Sequence, residues 1–312
     1  MESKVCLCCG KPIEQDYWHP ACIRRFFGEP NLPSVSLSGL EEMAKTQLSQ
    51  GIAVAGVQEK LSLHLDLTIS KRPRLAVVGY PSGYILKPQA SDYKNLPEFE
   101  QAAMLMANAC GFKTVPHALI PIEGGHELAF ISKRIDRDSG KKIHMEDFCQ
   151  ASGLPTSLKY RSSYEACAEL IDRYSAWPLL DKTTFFSLLY FGFVIGNSDM
   201  HLKNFSFVVG EDGKYHLCPA YDLLPTKVIL PTDHDDLGLL MNGHKSNLRS
   251  HDFDRFCEAA GIPKASQTKI MENIDAKIGV FEEIIATSSI HQNGKSRWVK
   301  MIRSNIKRSK RP

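Results

Sequence analysis

At 312 residues, with 43% hydrophobic and 23% charged side chains, the chain has the composition of a globular protein with a large core, in one two-lobed domain or in two domains. Its formal net charge of +3 supplies no global drive towards nucleic acid or membrane. Nine cysteines are an odd set, and Cys110, Cys149, Cys167, Cys218 and Cys257 stand singly in apolar surroundings, as reduced thiols do and disulfide frameworks do not. The N-terminus has no apolar core of the signal-peptide kind, and the longest apolar run, Phe185–Gly196, is too short to span a bilayer. A cytoplasmic protein without membrane contact is expected.

The other four cysteines crowd the first 22 residues, in CLCCGKPIEQDYWHPACIRRFFG. Cys6-x2-Cys9 and His19-x2-Cys22, nine residues apart, suit a tetrahedral Cys3His zinc site; the alternative is a cluster of free thiols. Cys8 is the spare thiol and could compete with Cys9. A segment whose core is only Tyr17, Trp18, Ile23, Phe26 and Phe27 would need the metal to fold, and four protein ligands suit docking or scaffolding rather than catalysis.

A polar linker, Gly28–Gly39, leads to helical spacing over Leu40–Gln50. Short strands follow (LSLHLDL, LAVVGY, GYILKP), then a helix over Pro97–Cys110 closed by Gly111, then strands HALIPI and LAFISKRI. The second half is mostly helical, at Ser163–Tyr174, Lys182–Ile195, His251–Ala260 and Thr268–Ala286, with one hairpin, FSFVV-GEDG-KYHLC. The end, KSRWVKMIRSNIKRSKRP, has eight Lys or Arg and no acid: an amphipathic helix on Trp298, Met301 and Ile302, then a disordered, solvated last six residues.

GFVIGNSDMHLKNFSFVVGEDGKYHLCPAYDLLP is the most informative stretch. A buried helix ends at Gly196, Asp199 and Asn204 follow five residues apart, a hairpin intervenes, and Asp222 lies beyond it. Phosphoryl transfer uses parts in this order: an aspartate for the acceptor proton, then an asparagine and a second aspartate on magnesium. An Asp-x4-Asn pair alone is a common helix-exit loop; the combination is not. Lys87 ends an apolar strand, where a kinase keeps its phosphate-contacting lysine, and either Glu98 or Glu100 could pair with it. VAGVQEKLSL is a one-glycine turn able to cover phosphates with backbone amides, but it is not GxGxxG.

Taken together, AGVQEKLSL, YILKP, FEQAAMLMANACGF, FISKRIDRD, HMEDFCQ, LKY, GNSDMHLKNFS, PAYDLLPT and LGLLMNGHKSNLRSHDFDRFCEAAGI resemble the HipA family of toxin serine/threonine kinases, from about residue 50 to about residue 285. The matched motifs begin without a counterpart to the family's extra N-terminal subdomain, and in that respect the sequence resembles the short HipT-like branch of HipBST-type toxin–antitoxin systems, whose missing piece is expected as a separate small protein. The resemblance implies an α+β, two-lobed protein-kinase-like fold with a small mixed β-sheet lobe and a mainly helical large lobe, behind a zinc-knuckle-like head. The boundaries would be a head at 1–28, linker and helix at 29–50, ATP-binding lobe at 51–137, catalytic lobe at 138–294 and basic tail at 295–312.

By the same resemblance, Asp199 is the catalytic base, with His201 and Lys203 in its loop and Lys203 able to neutralise charge on the transferring phosphoryl group. Asn204 and Asp222 hold magnesium. Lys87 and its partner Glu100, the loop Val54, Ala55, Gly56, Val57 and Gln58, and the hinge residues Phe130, Ser132 and Lys133 bind ATP. The substrate would be a protein such as an aminoacyl-tRNA synthetase. The partners would be two antitoxins of the same operon, one DNA-binding and one small and subdomain-like, so that DNA is met only through the antitoxin. In one respect the sequence departs from the family, whose loop carries an autophosphorylated serine: here those places are Ala53 and Ala55. Two rival functions share part of the pattern, a small-molecule kinase of the aminoglycoside phosphotransferase kind and a non-catalytic nucleotide-binding regulator that docks with a repressor.

Overall fold

Period-two burial marks the first strand, where Leu61 and Leu63 are buried and His64 between Leu63 and Leu65 is exposed. The computed structural model describes residues 4–14, 16–35, 60–66, 73–76, 83–124, 127–138 and 141–311; the helix expected over 40–50 lies outside them. Two compact units emerge, one from 1–105, 115–142 and 284–290, the other from 106–114, 143–283 and 291–312.

The first unit holds a five-stranded sheet of β1 (Leu61–Asp66), β2 (Arg74–Ala76), β3 (Tyr84–Lys87), β4 (His117–Pro121) and β5 (Leu128–Lys133), in the order β2-β1-β3-β5-β4. A mixed sheet was expected here, but every pair of these strands is antiparallel, and a parallel bridge joins Ser34 to Arg74 at the β2 edge. Short connections such as the one from β4 to β5 reverse the chain, whereas parallel neighbours need a long crossover. The register sets Lys87 opposite Phe130.

The Leu96–Ala109 helix ends as expected, with Gly111 in the left-handed region at φ +85°. The cysteine-rich head belongs to the core of this unit. Phe26 and Phe27 of the Pro20–Phe27 helix set their rings 6.0 and 5.4 Å from that of Tyr84, and Trp18 Nε1 donates to the Leu119 carbonyl at 2.8 Å. Tyr17, expected in that core, is instead 49% exposed.

The second unit is mainly helical. Its helices include Tyr164–Tyr174, capped by the Ser163 hydroxyl, Pro178–Ile195, which starts four residues before the expected Lys182, and Ser250–Ala259. The predicted hairpin forms from Ser206–Val209 and Tyr215–Leu217, and Met145–Asp147 adds a third strand to it. The helix expected over 268–286 is two, Lys264–Asp275 and Ile278–Thr287. The apolar spacing Ile274, Ile278, Phe281, Ile285 continues across the break, so periodicity alone joins them. Among the described residues one helix is long and apolar enough to cross a membrane, Pro178–Ile195, and most of it is buried.

The basic end is ordered through Arg311, the last described residue. One helix covers Gln292–Ser309, burying Trp298, Ile302, Asn305 and Ser309, while Met301 is half-buried. A disordered last six residues is therefore incorrect: Arg308 makes two 2.8 Å bonds to the carboxylate of Asp236, whose side chain is 1% exposed and also accepts from Lys227 at 2.8 Å. Burial pushes the pKa of Asp236 up, but the hydrogen bonds and charges of Arg308 and Lys227 outweigh it, and the net shift is downward. A depressed folded-state pKa contributes stability that is complete above the unfolded value and is lost as pH falls through the folded one. Arg308→Ala should cost roughly 2–3 kcal/mol in urea unfolding at neutral pH. The gap between variant and parent should narrow below about pH 4, and a gap that stays constant with pH would exclude this account.

Candidate active site and metal centre

Each unit carries its own set of candidate residues. In the first, Lys87 ends β3 with its side chain buried, and its ammonium donates to Glu100 Oε1 at 2.6 Å. The open choice between the two glutamates is thereby resolved for Glu100: Glu98 accepts from Asn95 at 2.9 Å. Beneath Lys87 lies the ring of Phe130, 5.4 Å from the ammonium, which in turn stacks on His117 at 6.2 Å. Phe130 and Ser132 are buried inside β5, and Lys133 ends it with its ammonium 5.6 Å from the centre of the Phe26 ring. Burial lowers the pKa of Lys133. Beyond the strand, Arg134 holds Asp136 through two bonds of 2.9 and 2.7 Å. Val54, Ala55, Gly56, Val57 and Gln58 lie outside the described residues.

The head gathers Cys6, Cys9, His19 and Cys22 so that their ligand atoms all lie within 4.8 Å of one another. His19 Nδ1 faces the sulfurs of Cys9 and Cys22 at 3.5 and 3.9 Å, while its Nε2 lies 3.0 Å from the Pro12 carbonyl. Tetrahedral zinc with sulfur at about 2.3 Å and nitrogen at about 2.0 Å separates its ligand atoms by roughly 3.5–3.8 Å, so this cluster fits that ion. A carbonyl on the far nitrogen fixes the imidazole tautomer that leaves Nδ1 free to ligate. Cys8 is buried but outside the set, and burial pushes its thiol up to about 11.

In the second unit the Pro178–Ile195 helix stops because Gly196 takes φ +80°, and a Cβ there would come within 2.3 Å of the Met301 sulfur. The chain then turns through buried Asn197 and Ser198. The Ser198 hydroxyl bonds to Thr226 and Asp233, and the Asn197 amide oxygen accepts from the Asp199 N–H at 3.3 Å. Met200 is pinned on both sides. Its carbonyl accepts from the Tyr164 hydroxyl at 2.8 Å, and Gly238 packs so closely on its backbone that a Cβ would lie 2.9 Å away. Asp199, between these anchors, is exposed.

Asn204 and Asp222 come together across the hairpin, with Asn204 Nδ2 3.3 Å from Asp222 Oδ2 and Asn204 Oδ1 accepting from the His201 N–H at 3.0 Å. Asp222 is held at φ +58°, in the left-handed region that aspartate and asparagine enter more readily than other non-glycine residues. An amide oxygen and a carboxylate form the hard-oxygen donor set that suits magnesium. His201 is buried, its Nδ1 has no hydrogen-bond partner among the described residues, and burial lowers its pKa against the opposing pull of Asp199. Lys203 is neither free nor merely solvated, because its ammonium pairs with Asp147 at 2.6 Å. Two contacts were not foreseen. Asp147, which also caps the Phe148–Ala151 helix, holds Lys203, and the Tyr160 hydroxyl donates to Asp199 Oδ1. The only sequence trace of Tyr160 is the LKY string.

The family model for the HipA-like C-terminal domain matches residues 52–280, and the chain belongs to that family. A Sinorhizobium fredii protein named "Putative kinase Y4mE" is 34% identical over 184 residues, covering 56% of this chain and 42% of that one. A Haemophilus influenzae protein named "Putative kinase" is 31% identical over 191 residues, covering 58% and 54%. The chain thus spans about half the length of these curated relatives. Among solved structures, HipA of Shewanella oneidensis MR-1, from a toxin–antitoxin complex with HipB and operator DNA, has a TM-score of 0.69 at 19% identity, covering 91% of this chain and 72% of that one. The Helicobacter pylori proinflammatory kinase CtkA has a TM-score of 0.55 at 14% identity, covering 81% and 90%. At these identities the likeness is one of fold, and the fold class is the α+β, kinase-like one.

Breaking the Lys87–Glu100 pair from one side strands a buried charge. Glu100→Ala should destabilise the first unit by about 3–5 kcal/mol, whereas joint replacement by Lys87→Met and Glu100→Leu should recover most of that loss. Thermal melts of Lys87→Met, of Glu100→Ala and of the double variant decide this; a double loss equal to the sum of the single losses would mean that the pair is not coupled.

Proposed function

We propose that this chain is an ATP- and magnesium-dependent serine/threonine protein kinase, the toxin of a bacterial toxin–antitoxin system of the short HipT-like kind. The single observation that carries the reading is the second unit's loop geometry: an exposed Asp199 on a rigidly anchored turn, followed by Asn204 and Asp222 joined across a hairpin. Asp199 takes the proton of the acceptor hydroxyl, and Asn204 and Asp222 offer oxygens to magnesium, which when bound neutralises phosphate charge. His201 stays neutral beneath this loop. Lys203 orients the loop through Asp147 rather than acting on the phosphoryl group. On the first unit, Lys87 contacts the nucleotide's phosphates, oriented by Glu100, with Phe130, Ser132 and Lys133 near the adenine.

The kinase names of the matched relatives support this reading at the level of the family. The Shewanella complex, which holds HipB and operator DNA, supports a HipB-like antitoxin as one partner; by the resemblance to the short HipT-like branch, a small subdomain-like protein is the other, and DNA is met through the antitoxin. The substrate is a translation component such as an aminoacyl-tRNA synthetase, and the buried, unbridged thiols of Cys149, Cys167, Cys218 and Cys257 support a reducing, cytoplasmic setting. The head carries structural zinc on Cys6, Cys9, His19 and Cys22.

ATP labelled on its γ-phosphate and supplied with the chain to a bacterial lysate separates the alternatives. Label on proteins supports this reading, label on small molecules supports an aminoglycoside-phosphotransferase-like enzyme, and no label leaves a non-catalytic regulator. Asp199→Asn should retain nucleotide binding while losing at least 100-fold in transfer rate. Asp222→Asn should chiefly weaken magnesium-dependent nucleotide binding, measured by calorimetry; unchanged affinity would remove Asp222 from the metal.

Metal analysis of protein purified without chelator should find about one zinc per chain, lost in Cys22→Ser. Because the head is part of the first unit's core, that variant should also lower the melting temperature rather than only expose residues 1–28 to protease. Freshly reduced protein containing no zinc would favour free thiols.

A further inference from the structure

The base proposed above already holds a hydroxyl. Tyr160 follows the turn Thr156–Leu158, and its phenol donates a hydrogen bond to Asp199 Oδ1. In the kinase reaction the acceptor's hydroxyl occupies that same place, donating to the base before it attacks phosphorus. Tyr160 is 42% exposed, and its ring meets a histidine and two lysines. The ring lies edge-on to His201 at 5.0 Å, and the ammonium groups of Lys159 and Lys245 sit 5.0 and 5.8 Å from its centre. The backbone beside it is tied to the catalytic loop, where the Leu202 N–H donates to the Lys159 carbonyl at 3.2 Å.

We propose that Tyr160 is an internal acceptor, a modification site on which this chain phosphorylates itself. The inference rests on the reading of Asp199 as the base of an ATP-dependent kinase. Tyr160 Oη forms a bond to the γ-phosphorus as the bond from that phosphorus to the bridging oxygen of ADP breaks; the phenolic proton passes to Asp199 and ADP departs. The phenol needs such a base, because burial and the neighbouring carboxylate both raise its pKa and keep it protonated at neutral pH.

The surroundings suit the product as well. A phosphotyrosine carries nearly two negative charges and three acceptor oxygens. Lys159 and Lys245 form no ion pair among the described residues and stand over the ring as counter-charges. The phosphate would repel the Asp199 carboxylate and occupy the acceptor position, so the modified chain loses its action on other proteins. A switch of this kind does not need the serine that Ala53 and Ala55 lack.

The test incubates the full chain with ATP and magnesium, follows intact mass, and maps phosphate by peptide sequencing, with lysate labelling run in parallel. The expected result is one phosphate on Tyr160, gained at a rate independent of protein concentration, and absent from Tyr160→Phe and Asp199→Asn. Tyr160→Phe keeps the ring between its lysines, so a folding defect is not expected to explain its result. Lysate labelling by the parent chain should decay as Tyr160 fills and should persist in Tyr160→Phe. Labelled lysate proteins with no phosphate on Tyr160 would overturn the internal acceptor while leaving the kinase reading intact. Phosphate on Tyr160 in Asp199→Asn at the parent rate would overturn it too. No label on either the chain or the lysate would instead sink the kinase reading, and this inference with it.

Discussion

The last turn of a buried helix has carbonyls with no partner of their own, and here they end the Pro178–Ile195 helix deep in the second unit, where water cannot serve them. Side chains from more than 100 residues later do so. Asn305 Nδ2 donates to the Phe193 carbonyl at 2.8 Å and Trp298 Nε1 to the Ile195 carbonyl at 2.9 Å. The Phe193 carbonyl also accepts from the Gly196 N–H at 3.2 Å, whereas an unpaired Ile195 carbonyl would cost about 1–3 kcal/mol. The bonds from Asn305 and Trp298 hold the helix end from which Gly196 turns the chain towards Asp199. The position of the candidate base therefore depends on the terminal helix, whose lysines and arginines line the outside of a structural support.

Charge burial sorts into two kinds in this molecule. Arg308 and Lys227 surround Asp236 near the terminal helix, while Lys87 and Glu100 form a pair of two buried groups in the first unit. A buried pair is rarely the most stable choice, because apolar residues of the same volume often do as well or better. Lys87 and Glu100 thus add little stability that a Met–Leu pair could not. What they supply is an ammonium held at a defined point above Phe130, the property a phosphate-binding lysine needs and a core does not.

How legible each part was follows from the range of the interaction that makes it. Asp199, Asn204 and Asp222 stood out because a helix end, a five-residue spacing and a hairpin are local features. Lys87 was visible as a strand end, but Glu98 and Glu100, two residues apart, could be separated only by the helix that turns one towards the lysine and the other towards Asn95. Tyr160, Asp147 and Asp233 reach the candidate catalytic loop across 39, 56 and 35 residues of sequence, beyond any pattern of spacing. The terminal helix misled for a different reason. Eight basic residues resemble a solvated tail, and nothing local announces that a buried aspartate is waiting for one of them.

The head follows the same logic of unpaired groups. β4 is an edge strand, and the exposed N–H and C=O groups of an edge invite pairing with other chains. The Leu119 N–H of that strand donates to the Leu7 carbonyl at 3.0 Å, its carbonyl accepts from Trp18, and Gln101 reaches the carbonyls of Leu7 and Cys8 at 3.1 Å. The segment that covers the edge is the same one that carries Cys6 and Cys9. So short a stretch has too little apolar surface to hold that shape alone, and four ligands on one ion would supply the missing constraint. A metal bound there would act on the sheet that presents Lys87 by fixing the chain that closes its edge.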